Sequence, residues 1–228
     1  MTATRWRRSP GPCACAAPSR ATPSSSTCSR SRPTATARRR SSATSACCGR
    51  SSASRPPSAV PSGTVSTMPP DGYKPAYAGP YGGDFDQKDV RAGARVHLPV
   101  MVDGALLFFA DPHAAISDGI ISGTGVECDA TVRARVALDK QRALDRPIIE
   151  VDDTVQVLGF GPTMEIATED AARGAVDFFV AQTGLDRREA YMLLSIVGEL
   201  RIGTSPRPVM AARLIVPRAV LAAASAGR

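Results

Sequence analysis

The first 70 residues contain no Asp, Glu or Lys and no Leu, Ile or Phe; the first acid is Asp71 and the first valine Val60. A stretch without large aliphatic residues cannot bury enough apolar surface to offset about 1–2 kcal/mol of backbone entropy per residue. Residues 1–62 are therefore expected to be a disordered Arg-, Ser-, Ala- and Pro-rich segment, and residues 63–228 the folded domain. Eleven arginines lie before Asp71; taking them from the net charge of +7 leaves −4 for the rest. The basic pI of 9.4 thus belongs to the tail. Nucleic-acid binding, which needs Lys and Arg arrayed on a folded face, is not expected.

Arg- and Ser-rich, acid-free composition also describes an organelle transit peptide, but the amphipathic apolar face of such a peptide is missing, as is the apolar core of a secretory signal. A genuine disordered tail and GC-rich coding DNA translated in a wrong frame are the other readings. Five of the six cysteines (Cys13, Cys15, Cys28, Cys47, Cys48) fall in this segment, at spacings that match neither a disulfide framework nor a zinc module. Only Cys128 is left for the domain, which predicts a reduced, cytoplasmic protein. No run of about 18 apolar residues exists, so no membrane span is predicted.

Residues 61–83 are rich in Pro, Gly, Ser and Tyr and read as loop or extended connection. Strand signals follow at 95–102 and 105–110, split by the turn pair Asp103-Gly104. Residues 131–138 alternate, with Val132, Ala134, Val136 and Leu138 on one face. Two more strands are predicted at 147–151 and 155–160 around Asp152-Asp153, and a last one at 209–216. Two helices intervene. Thr168 is the expected cap of the first, with Gly184 as its stop. Asp186 and Glu189 form a capping-box pattern for the second. The expected fold is mainly β, a sandwich-like antiparallel core with two C-terminal helices packed on it.

Polar residues concentrate between Gly82 and Glu127. Gly82-Gly83-Asp84-Phe85-Asp86 sets two carboxylates two apart, Asp111-Pro112-His113 ends an apolar run, and Asp118-Gly119 and Ser122-Gly123-Thr124-Gly125-Val126-Glu127 follow. Singly, each has an ordinary reading: a packed histidine, a braced turn, a turn pair. His97 lies in an alternating strand and reads as structural. The glycines lack the full dinucleotide-loop pattern, so no organic cofactor is expected.

In order, GGDFD, HLPVMVDGALLFFADPHAAISDG and SGTGVE resemble the acetamidase/formamidase family, and EAYMLLSIVGELRI resembles that family's closing helix. The resemblance runs from about Gly63 to Pro217. It implies a hydrolase that cleaves the C–N bond of short linear amides, of the formamide or acetamide type, to carboxylate and ammonia. Carried over by position, catalytic roles fall on His113, Asp111, Asp118 and Glu127, and metal-ligand roles on Asp84, Asp86, Asp111 and His113. No Gly-x-Ser-x-Gly elbow is present. Carboxylates with one histidine suit carboxylate- or metal-activated water, zinc being the first choice of ion. The partners implied are a small amide substrate and, through an exposed sheet edge, further copies of the chain as a homo-oligomer.

Three positions depart from the family's pattern: Asp84 stands for Asn, Ile116 for Gln and Ile120 for Glu. Isoleucine can neither ligate a metal nor move a proton. The alternative function is therefore a catalytically inactive β-domain homologue with a binding or structural role. Family members also carry more of the β domain at the amino-terminal side, where this chain has its Arg-rich segment.

Overall fold

The structure is a computed structural model that describes residues 60–71, 74, 76–204 and 207–226. The expected disorder of the amino-terminal segment falls on residues outside these, except for its last three; of those, Pro61 accepts a backbone bond from His113 and Ser62 donates one to Val90.

Among the described residues, nine strands form two antiparallel sheets. The first has the order β2 (Gly82–Asp84), β1 (Ser62–Ser66), β4 (Phe108–Ala115), β5 (Val126–Glu127). The second has the order β3 (Arg95–His97), β6 (Ile148–Val151), β7 (Thr154–Gly161), β9 (Met210–Pro217), β8 (Glu199–Ile202). Alternation sends the two faces of the second sheet into different cores. Ile149, Val151, Leu158 and Ala211 meet Val65 and Phe85 from the first sheet's side. Val157, Leu214 and Val216 meet Ala175, Val176, Phe179, Ala190 and Leu194 of the helices on the other face. The mainly β core with helices laid on it is as expected.

Helix α1 (Met164–Thr183) starts one turn earlier than Thr168. Thr163 is the cap, its side chain accepting from the Ile166 amide, while Thr168 lies inside the helix and donates to the Met164 carbonyl. Its Ala and Gly face lets β7 come close, since a Cβ on Gly159 would collide with the backbone of Ala171. Helix α2 (Arg187–Val197) opens with the expected capping box of Asp186 and Glu189. It ends at Val197, so the last four residues of EAYMLLSIVGELRI form strand β8 rather than helix. A third helix, α3 (Arg218–Ala226), follows β9 and was not expected. Among the described residues no helix is long and apolar enough to cross a membrane.

Three strand expectations change. The runs on either side of Asp103-Gly104 are not a hairpin: β3 pairs with β6 and β4 with β1, in different sheets. Residues 131–138 form no strand, and Val132, Val136 and Leu138 are exposed. Alternation makes a strand only where a partner ladder and a covering layer exist. Conversely, the presumed loop 61–83 holds β1 and the start of β2. Strand β1 reads as loop because it is Ser-Gly-Thr-Val-Ser. Its buried Ser62 hydroxyl is satisfied by the carbonyls of Thr64 and Ala110.

Candidate active site

The first sheet gathers most of the candidate residues. Thr64 of β1 sits opposite both Asp84 of β2 and Ala110 of β4, so β2 and β4 flank β1. On the far side of β4, His113 lies opposite Glu127 of β5, beside a register shift between His113 and Ala115. Phe85 is anchored in the inter-sheet core between Asp84 and Asp86. Gly63, the second residue of β1, leaves the room that the cluster occupies: a Cβ there would overlap Asp111 Oδ2 and stand 2.6 Å from Asp86 Oδ1 and 2.9 Å from His113 Cε1. Gly125 does the same from the β5 side, where a Cβ would lie 2.8 Å from the Ala115 carbonyl and press on the His113 ring.

His113 is 1% exposed. Its Nε2 lies 3.3 Å from Glu127 Oε1 and 3.8 Å from Asp111 Oδ2, and its Nδ1 is buried without a partner. Thr124 holds Glu127 by donating to Oε1 at 2.6 Å. Ligand atoms of Asp86, Asp111 and His113 all lie within 4.8 Å of one another. Asp86 is fully buried, with Oδ2 accepting from Arg207 at 3.0 Å and Oδ1 unpaired. Arg207 also donates to Asp84 Oδ2 at 2.9 Å, and Thr64 donates to Asp84 Oδ1 at 3.3 Å.

Carboxylates outnumber cations here, and their proton affinities show it. Burial, with Asp84's charge behind it, outweighs Arg207 and pushes the Asp86 carboxyl up to about 7. Burial, helped by Asp84 and Glu127 and opposed by His113, raises Asp111 to about 6. Burial also raises Asp84 against the pull of Arg207. Asp86 and Asp111 sit at φ of +48° and +60°, in the left-handed region that non-glycine residues enter rarely. Backbone strain of this kind gathers at functional sites.

Asp118 takes its partners elsewhere. It pairs with Lys88 at 2.9 Å and with the fully buried Arg213 at 2.7 Å, and Arg213 also reaches Asp89 at 3.2 Å. Burial would raise its pKa, but Lys88 and Arg213 outweigh that and hold it low. His97, read as structural, pairs with Glu150 across β3 and β6 at 2.8 Å. Arg207 and Gly63 were missed. The signal for Arg207 was an arginine between two prolines, Pro206 and Pro208; for Gly63 it was the small, β-branched run around it.

The cluster has the features of a divalent-cation site. Asp86 Oδ1 is a buried acceptor without a donor, Gly63 supplies clearance, and two carboxylates with an imidazole are ligands that zinc or a harder ion takes. Asp84, expected among the ligands, is engaged by Arg207 and Thr64 beside the group.

A model of the acetamidase/formamidase family matches residues 5–222. Among solved structures, the acetamidase from Bacillus halodurans superposes with a TM-score of 0.69 at 34% identity, over 72% of this chain and 56% of that one. A predicted acetamidase/formamidase from the thermophile Thermoanaerobacter tengcongensis gives 0.65 at 26% identity, over 72% and 55%. The acetamidase from Yersinia enterocolitica gives 0.64 at 31%, over 71% and 49%. The match spans about half the length of these relatives. Comparison with curated proteins gives no match.

Proposed function

Because the chain belongs to the acetamidase/formamidase family, we propose that it is a hydrolase that cleaves the C–N bond of short linear amides to carboxylate and ammonia. The observation that carries this reading is the buried His113 with Asp86, Asp111 and Glu127 around it. An amide is a poor electrophile, so hydrolysis needs an activated water and a proton for the departing nitrogen. Asp86, Asp111 and His113 are the residues that would hold a divalent ion. Such an ion, when bound, lowers the pKa of water and polarises a carbonyl. The Glu127 carboxylate, half-exposed and steered by Thr124, takes a proton from the attacking water and returns it to the leaving nitrogen. His113 Nε2, 3.3 Å from Glu127 Oε1, keeps that carboxylate turned inward. Asp118 acts through the fold rather than at the reacting atoms, since Lys88 and Arg213 occupy it.

Ammonia release from formamide and acetamide tests this. His113→Ala removes a ligand of the proposed ion and the group that orients Glu127, and is expected to lower the rate by about 10²–10⁴-fold, the usual worth of a positioned acid–base group such as Glu127. Turnover undiminished in that variant would refute the assignment.

One observation favours the second reading, an inactive homologue with a binding role. Ile120, where the family pattern has Glu, is buried at φ +35°, a conformation a β-branched residue occupies only under strain. The backbone is that of a special position, and the side chain there is inert. Ile120→Glu decides: a large gain in ammonia release marks a decayed enzyme, and continued silence from both proteins on small amides favours the binding role. We also propose that the protein is cytoplasmic, supported by cysteine spacings that match no disulfide framework. Homo-oligomer formation is supported by the exposed Leu200 and Ile202 on edge strand β8, and a monomer in sedimentation velocity would count against it.

A further inference from the structure

Arg207 lies between β8 and β9, in sequence far from every residue it touches. Its Nη1 donates to Asp84 Oδ2 at 2.9 Å, and its Nη2 donates to Asp86 Oδ2 at 3.0 Å and to the Gly123 carbonyl at 3.2 Å. The planar guanidinium is rigid, so these three contacts fix the spacing of β2, the turn after it and the loop before β5. Because Asp86 Oδ2 is taken by Arg207, the unpaired oxygen of Asp86 is Oδ1, the one beside Gly63. The residue after Gly123 is Thr124, which holds Glu127. Pro208 disfavours the helical region for Arg207, which lowers the entropy of placing the side chain.

We propose that Arg207 is the positioning residue of this site, a fork that presents Asp86 Oδ1 to a bound divalent cation and locks the Glu127 loop to the same frame. The inference rests on reading the cluster as a metal centre. Lysine cannot replace the function fully, because a point donor cannot span two carboxylates and a carbonyl in one plane. Charge alone makes the opposite prediction: removing a positive group beside a dication's ligands would tighten binding.

The test is calorimetric titration of Zn²⁺ into the full-length protein, with circular dichroism as the folding control. Arg207→Gln is expected to weaken Zn²⁺ binding by about 10–100-fold, the usual effect of losing a ligand's supporting partner. Arg207→Lys is expected to fall between Gln and the wild type, and methylguanidinium in solution to restore part of the affinity of Arg207→Ala. Arg207→Gln binding as tightly as the wild type, or more tightly, overturns the proposal. Should Arg207→Gln not fold, Lys and the methylguanidinium rescue decide: a Lys variant equal to wild type, or no rescue, overturns it. A wild type that takes up no Zn²⁺ would instead remove the metal reading. The proposal for Arg207 would fall with it. Zinc binding without ammonia release would sink the amidase reading and leave this one standing.

Discussion

The buried charges around Arg213 and those around His113 are set to opposite ends. Around Arg213, two carboxylates (Asp89 and Asp118) meet two cations (Arg213 and Lys88), and Asp118 is held below its ordinary proton affinity. Around His113, the four carboxylates of Asp84, Asp86, Asp111 and Glu127 share one arginine, and the three aspartates are raised. The first group is matched and ties β9 to the segments before β3 and after β4. The second is unmatched, with two residues at positive φ and a glycine at its centre. Burial of unmatched negative charge is costly unless a further cation joins it. The comparison separates a clamp from a site.

The largest effect is expected from breaking the clamp. Arg213→Ala leaves Asp89 and Asp118 without their buried partner, and should lower unfolding stability by about 3–5 kcal/mol in a denaturant titration. Gly63→Ala attacks the site instead. The added methyl overlaps Asp111 Oδ2 and crowds Asp86 Oδ1, so Zn²⁺ binding should be lost with an overpacking cost of about 1–3 kcal/mol.

The pH dependence of stability in chelator sharpens the contrast, because the two groups have opposite signs. Asp86 is raised from 3.8 to about 7, so its contribution is complete below 3.8 and is lost as pH rises through about 7. Asp118 is lowered from 3.8, so its contribution is present above that value and is lost as pH falls through its depressed pKa. Asp86→Asn should therefore protect the metal-free protein at pH 8, and Asp118→Asn should weaken it at pH 7. Urea midpoints across pH check both; variants shifting in the same direction would erase the distinction. The smallest effect belongs to the exposed α1 pair Arg173–Glu169, where Arg173→Ala should change stability by no more than about 0.5 kcal/mol.

Much of this was legible in the sequence, and the misses have physical causes. Asp84, Asp86, Asp111, His113 and Glu127 were named from an ordered set of motifs, and the structure brings them together. Asp118 was named from the same run, but the ion pairs it makes were not foreseen. Its partners, Lys88 and Arg213, come from distant segments that no local pattern connects to it. Strand β1 was hidden because Ser62, Thr64 and Ser66 are buried polar residues whose hydroxyls are satisfied only by the folded backbone or by Asp84. Arg207 was hidden for a similar reason: one arginine among many becomes distinctive only when β2 and the loop before β5 converge on it. The capping box of α2 and the β6–β7 hairpin were found because their signals are local.

The most direct measurement is ammonia release from formamide and acetamide by the full-length protein, before chelation, after it, and after returning Zn²⁺. The site described here predicts release that falls on chelation and recovers with the ion. Full activity throughout chelation would contradict the metal-centred account, and no release in any state would favour the inactive homologue, with Ile120→Glu then separating a decayed enzyme from a binding role.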